Sequence, residues 1–301
     1  MVGCSHHGFV VTRSRIGRRT ALEDNLGTYE LLALTGLGIF TGAYGVLIGA
    51  GVGFVLAPLL MLVWGLDPVI AVGTSLAVVL VTSISGSIRY AFSRTIDYRS
   101  GLLFAGAALP GSILGAIIAA KTPGSLLMLV FGVFLIGMSA FTVCKPPITG
   151  TSTEATQPNS RSGRTRSVTT AAGITYIYTF SEPWAIACNC VFGFLSSLFG
   201  VGGGLIRVPI LVFGFRFPVV IAAATSIFSM GLYTGIGVIT HGMLGNLHWN
   251  AFVFASIGAI IGTQIGAPMA PRLQGRLILR MLAAGLATSG VWLVFRGSHI
   301  L

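Results

Sequence analysis

Two stretches of this chain carry the pattern G-x-G-x-G-x-x-x-x-P-x-L, at residues 49–60 and 200–211, and each lies inside a long uncharged apolar run. Closely spaced glycines weaken a helix and a following proline removes a backbone hydrogen bond, so a spanning helix is expected to break or unwind at both places. Unwinding within a membrane leaves backbone groups without partners, which is tolerated only where protein, water or solute supplies them. Free N–H groups at the start of a half-helix attract anions. Gly49, Gly51, Gly53, Gly200, Gly202, Gly203 and Gly204 are therefore candidates to line an anion site. The competing reading is close helix packing through small residues, which membranes also favour.

Thr74-Ser75 and Thr225-Ser226 form a second pair of features, each early in the apolar segment that follows a break. Such hydroxyls can donate to a sulfonyl or carboxyl oxygen, or bond within their own helix or to a neighbour. Arg207 follows Gly204 by three residues in an apolar run, and an ionisable residue at membrane depth is a functional candidate by default. It could instead snorkel to the interface. Its counterpart in the first motif is Leu56, so the two copies differ there.

Proton coupling stays open and would need a titrating group, drawn from Asp67, Asp97, Glu182, His241, His248 or a tyrosine. His241 reads as an interfacial anchor, and Asp67 before Pro68 as a turn residue. Gln264 could bond a solute or join helices. No HExxH, Cys/His cluster or CxxC pattern is present, so no catalytic residue, metal ligand or cofactor is expected. A nucleotide-binding loop lacks its strand, helix and downstream acid, and no nucleic-acid partner is expected.

The elements that must hold these residues are helices in a bilayer. Hydrophobic residues make up 54% of the 301 and charged residues 8%, against roughly 25% charged in an ordinary soluble domain. Charge-free windows recur near residues 31–64, 68–88, 100–120, 122–144, 183–206, 217–240 and 249–271, with a weaker one at 277–295. At roughly 20 apolar residues per crossing, the chain reads as an all-α polytopic membrane protein with about eight transmembrane helices. Its 18 Lys and Arg outnumber seven acids, none of which follows Glu182. That field suits an anionic solute, although arginines also set topology and touch anionic lipid.

Displacing the chain by 151 positions aligns residues 42–116 with 193–267 without a gap, matching Gly42 with Gly193, Pro58 with Pro209, Thr74 with Thr225 and Gly111 with Gly262. Two homologous four-helix repeats with glycine-broken helices are expected, at 31–144 and 183–301. Residues 1–30 read as a basic cytoplasmic tail without the apolar core of a secretory signal, and 145–182 as a solvated polar linker. Four crossings in the first half place tail, linker and Arg89, Arg94 and Arg99 together inside. The same count leaves Arg272, Arg276 and Arg280 outside, against the expected bias. An inverted second half would repair this with one extra or missing crossing near the breaks or the linker.

The two glycine motifs, Ala71-Val72-Gly73-Thr74-Ser75 and Ala222-Ala223-Ala224-Thr225-Ser226, and the doubled layout resemble the TauE/SafE family of sulfite and organosulfonate exporters. The resemblance covers residues 31–295, apart from the linker. It implies a permease in the cell membrane that moves a small sulfur-containing or carboxylate anion. Gly51-Val52-Gly53 stands where the family usually has three consecutive glycines, and the linker is long and basic. The leading expectation is a secondary transporter for sulfite or an organosulfonate. An anion channel, a carboxylate transporter and, with least support, a membrane-embedded enzyme are the alternatives, and homo-oligomer formation stays open.

Overall fold

The computed structural model describes residues 27–144 and 164–298. Ten helices follow in order: α1 (Thr28–Ile48), α2 (Gly53–Leu62), α3 (Pro68–Phe92), α4 (Tyr98–Lys121), α5 (Gly124–Cys144), α6 (Glu182–Phe199), α7 (Gly204–Pro209), α8 (Val219–Met243), α9 (Trp249–Gly266) and α10 (Gly275–Ser298). One π turn, Ile210–Gly214, continues α7 past Pro209. Eight of these helices are long and apolar enough to cross a membrane, as expected. Large apolar side chains such as Phe40, Ile88, Val133 and Val253 point outward, whereas Thr74, Ser75, Ser197, Arg207 and His241 are buried. That distribution suits a protein whose solvent is lipid.

Local signals explain the boundaries. Asp67 caps α3, its Oδ1 accepting the Val69 N–H at 3.1 Å, with Pro68 as first helical residue. Asp97 caps α4 through the Ser100 N–H (3.1 Å), and His248 Nδ1 caps α9 through the Ala251 N–H (3.2 Å). Both α1 and α6 end on a left-handed glycine, Gly49 at φ 74° and Gly200 at φ 70°. Helix starts recur at one offset: Gly53 and Gly204, Pro68 and Val219, and Tyr98 and Trp249 each lie 151 positions apart.

Close contacts at small residues give the helix directions. Gly38 packs on Ala255, Gly42 on Ala259 and Gly262 on Ile39, so α1 and α9 run parallel. Gly193 packs on Ala108 and Gly115 on Leu198, so α4 and α6 are parallel too. By contrast, Gly73 meets Asn246 while Gly86 meets Ile227, and Gly132 meets Val294 while Gly297 meets Leu129. The pairs α3/α8 and α5/α10 are therefore antiparallel. The five-residue turn 93–97 cannot recross a bilayer at about 3.5 Å per residue, so α4 runs opposite to α3, and likewise α9 opposite to α8.

It follows that α1 and α3 run the same way, and that the unwound glycines plus α2 return the chain between them. Residues 200–214 do the same between α6 and α8. Each half makes five passes, and the second half runs opposite to the first. The start of α1 and the end of α5 therefore lie at opposite ends, whereas four crossings were expected to bring them to one face.

Residues 164–180, read as part of a solvated linker, instead form an antiparallel hairpin of β1 (Arg164–Thr169) and β2 (Thr175–Phe180). Tyr178 and Phe180 bury themselves against Phe217, and the Tyr178 hydroxyl donates to Asp97 Oδ2 at 2.8 Å. Burial, with the Asp97 carboxylate beside it, holds this phenol well above its ordinary range. Arg166 pairs with Glu182 at 2.9 Å. Residues 1–26 and 145–163, which carry the rest of the tail and linker, lie outside the described residues.

Candidate functional site

The two unwound segments cross side by side in the interior. A Cβ on Gly53 would collide with the Gly200 carbonyl and lie 2.7 Å from Val201 Cα, and one on Gly204 would lie 2.5 Å from the Gly49 carbonyl and 2.8 Å from Ala50 Cα. Side chains at equivalent places on α3 and α8 cover the crossing. Met230 Cε stands 2.6 Å from a Cβ built on Gly51 and 2.8 Å from one on Gly202, and Val79 Cγ1 lies 2.5 Å from the latter. Glycine at these positions lets two backbones and two helices share one space.

Several amides expected to cradle a solute are committed elsewhere. The N–H of Gly49 donates to Val46 O (3.1 Å) and that of Gly51 to Gly45 O (3.2 Å), while the Gly200 amide donates to Ser196 O. These bonds close the helix ends, and left-handed φ angles of 74°, 79° and 70° favour glycine at all three positions.

The hydroxyl pairs divide by role. Ser75 Oγ donates to the Gly200 carbonyl at 2.8 Å and so touches the crossing, and Ser226 Oγ lies 3.8 Å from Met230 Sδ. Thr74 and Thr225 sit apart from it. Thr74 Oγ1 accepts the His248 N–H (2.9 Å) and Thr225 Oγ1 the Asp97 N–H (3.1 Å), each latching a helix to the turn at its own end of the molecule. Gln264 joins helices, its Nε2 donating to Ser85 Oγ at 2.8 Å.

Arg207 lies on α7 and is fully buried, not snorkelling. Its Nη1 donates to Ser229 Oγ and reaches the Ser226 carbonyl at 3.5 Å. Its guanidinium carbon stands 5.0 Å from the Tyr233 ring centroid, a cation–π distance. The Tyr233 hydroxyl donates to the Gly202 carbonyl, fixing the ring beside the unwound segment. Nε and Nη2 of Arg207 find no acceptor among the described residues, and no carboxylate pairs with it. These two nitrogens share one edge of the guanidinium, the edge that binds two oxygens of one anion side by side.

The family model described as Sulfite exporter TauE/SafE matches residues 34–293. The chain belongs to that family. The Probable membrane transporter protein YunE of Bacillus subtilis (strain 168) is 32% identical over 278 residues, covering 89% of this chain and 98% of its own. A Probable membrane transporter protein of Xylella fastidiosa (strain Temecula1 / ATCC 700964) is 27% identical over 270 residues, covering 89% and 96%, and one of Methanocaldococcus jannaschii is 27% identical over 285 residues, covering 88% and 97%. No solved structure matches. This TauE/SafE protein is thus a multi-pass membrane transporter.

Tyr233, Ser229, Val79 and Met230 were not among the residues that the sequence singled out. The available signal was spacing, since Ser226, Ser229 and Tyr233 fall on one face of α8. In this TauE/SafE chain their significance comes from what faces them, Arg207 and Gly202.

Proposed function

We propose that this protein is a secondary transporter, not an enzyme, that moves sulfite or a small organosulfonate across the cell membrane, with Arg207 as the group that holds the anion. The observation that carries this reading is the bare Nε/Nη2 edge of a fully buried arginine. A cation without a partner in such a place costs several kcal/mol, and a two-oxygen anion supplies both the counter-charge and the acceptors. Tyr233, Ser229 and the 200–204 segment shape the surroundings. The family description favours a sulfur oxyanion, and small carboxylates share the two-oxygen geometry. Full burial of Arg207, with Val79 and Met230 across the glycine crossing, favours a carrier that alternates in access over an open channel. The 151-residue recurrence of helix starts supports duplication, with the two halves inverted.

The test is counterflow of labelled sulfite, thiosulfate, methanesulfonate and acetate in proteoliposomes. Saturable exchange of at least one sulfur oxyanion is expected. Charge-assisted hydrogen bonds contribute about 1.5–3 kcal/mol, so Arg207→Leu is expected to lower exchange at least tenfold and Arg207→Lys, without the fork, to lower it as well. Exchange no faster than in empty liposomes, or equal in Arg207→Leu, overturns the assignment.

A further inference from the structure

His241 lies on α8, fully buried, two turns from Tyr233 and about 12 Å along the axis. Its Nε2 is 3.0 Å from the Ser197 carbonyl. A carbonyl only accepts, so Nε2 bears the hydrogen and Nδ1 the lone pair. That Nδ1 is buried and meets no donor among the described residues.

The position 151 residues earlier holds Tyr90, whose hydroxyl donates to the carbonyl of Val46, itself 151 before Ser197, at 2.8 Å. The same anchoring bond is therefore made in both halves, by a phenol in one and an imidazole in the other. Anchoring explains Nε2 and leaves Nδ1 without a structural task. One turn of α8 from His241, against Gly237, lies a hydroxyl pair, Ser112 Oγ and Ser197 Oγ at 2.6 Å, with Ser112 Oγ 3.5 Å from the Tyr233 carbonyl. The corresponding residues in the other half are Thr263 and Val46, which make no such pair.

The groups facing His241 supply no counter-charge. From α3 comes Gly73, with Asp67 exposed at the helix start, while α4 places Ser112 against Gly237, one turn away, with Lys121 exposed at its end. α6 contributes Ser197, its Glu182 standing at the far end. The turn after α8 contributes Asn246 and His248, whose Nδ1 is committed to Ala251. Arg207 and Tyr233 lie toward the centre. Protonated His241 would be a second buried cation, and an anion at Arg207 is what would balance it.

We propose that His241 Nδ1 is the proton-binding site that couples anion movement to protons, taking up a proton from water when the anion is bound and returning it when the anion leaves. At about 12 Å and an effective dielectric near 20, the mutual effect on affinity is on the order of tenfold. The inference rests on the anion reading of Arg207, and two assays keep the two apart. The full chain in proteoliposomes is loaded with methanesulfonate or thiosulfate, whose strongly acidic forms carry no protons across lipid unaided. Counterflow at equal pH reports the anion site, while accumulation driven by an imposed pH gradient, with potential clamped by potassium and valinomycin, reports coupling. Wild type is expected to show both. His241→Gln is expected to keep counterflow within about twofold and to lose gradient-driven accumulation, and His241→Tyr, the residue of the other half, to do the same. Counterflow without gradient-driven accumulation in wild type overturns the proposal whatever the variants do, as does accumulation retained in either variant. Absence of counterflow for every anion overturns the Arg207 reading and this one with it.

Discussion

Arg207 carries a cost that the proposed anion would offset. Two of its buried donors lack acceptors, and each such group costs about 1–3 kcal/mol. Leu56, at the equivalent place 151 residues earlier, is fully buried without such a cost. Arg207→Leu is therefore expected to raise the melting temperature of the detergent-purified protein while lowering anion exchange. A lower melting temperature would mean that the contacts to Ser229 and Tyr233 outweigh the bare edge, and that the arginine is structural. The residue was legible in the sequence because a charge in an apolar run stands out. Its partners were not, because a tyrosine and a serine on a membrane helix resemble ordinary packing until Gly202 and the guanidinium are seen against them.

Among the elements, the glycine segments were legible as helix breaks, and the breaks fall where the spacing puts them, after Ile48 and Phe199. Their partnership with each other was not, because no local pattern encodes a contact between residues about 150 apart. That contact makes a sharp prediction. Gly204 has no left-handed φ, yet a Cβ there meets backbone of Gly49 and Ala50, which cannot yield as a flexible side chain would. Gly204→Ala is expected to destabilise the protein by about 1–3 kcal/mol as overpacking does, and to impair exchange. Gly245→Ala, at φ 73° in open space, should cost about 1 kcal/mol of backbone strain and leave exchange intact. Equal effects on exchange would sink the close-approach account. The β1–β2 hairpin was obscured by its charged and threonine-rich composition, although Thr175–Phe180 carries the aromatic and β-branched residues that strands favour. Tyr178→Phe removes a bond to the buried Asp97 carboxylate, for a loss of about 1.5–3 kcal/mol, read as faster limited proteolysis of the hairpin. Because folding raises the phenol's pKa, that contribution is complete below its unfolded value of about 10 and fades only as pH climbs toward the raised value. An unchanged proteolysis rate at neutral pH would show that the aromatic contacts alone hold the strand.

At the scale of the molecule, the helix directions reconcile a charge distribution that a count of eight spans could not. With five passes in each half, Arg89, Arg94, Arg99, Arg166, Arg216, Arg272 and Arg276 gather at the end that carries the hairpin, whereas Lys121 and Arg296 mark the other end among the described residues. The Arg296 Nη1 bond to the Leu62 carbonyl at 3.3 Å ties the end of α10 to the end of α2 there. The short helices were invisible to hydropathy as crossings because α2, and α7 together with its π turn, each run only about half the membrane thickness, and the inversion turns on them. From the excess of positive charge we propose that the hairpin end faces the cytoplasm and the start of α1 the opposite side, against the cytoplasmic tail expected from the sequence. In a variant whose native cysteines are replaced, a single cysteine at Thr170 should react with an impermeant maleimide only in inside-out vesicles, and one at Thr28 only in right-side-out cells. Labelling of both from the same side would mean an even number of passes before the hairpin. The glycine segments would then fail to return the chain, and the crossing that places Arg207 beside Tyr233 would lose its basis.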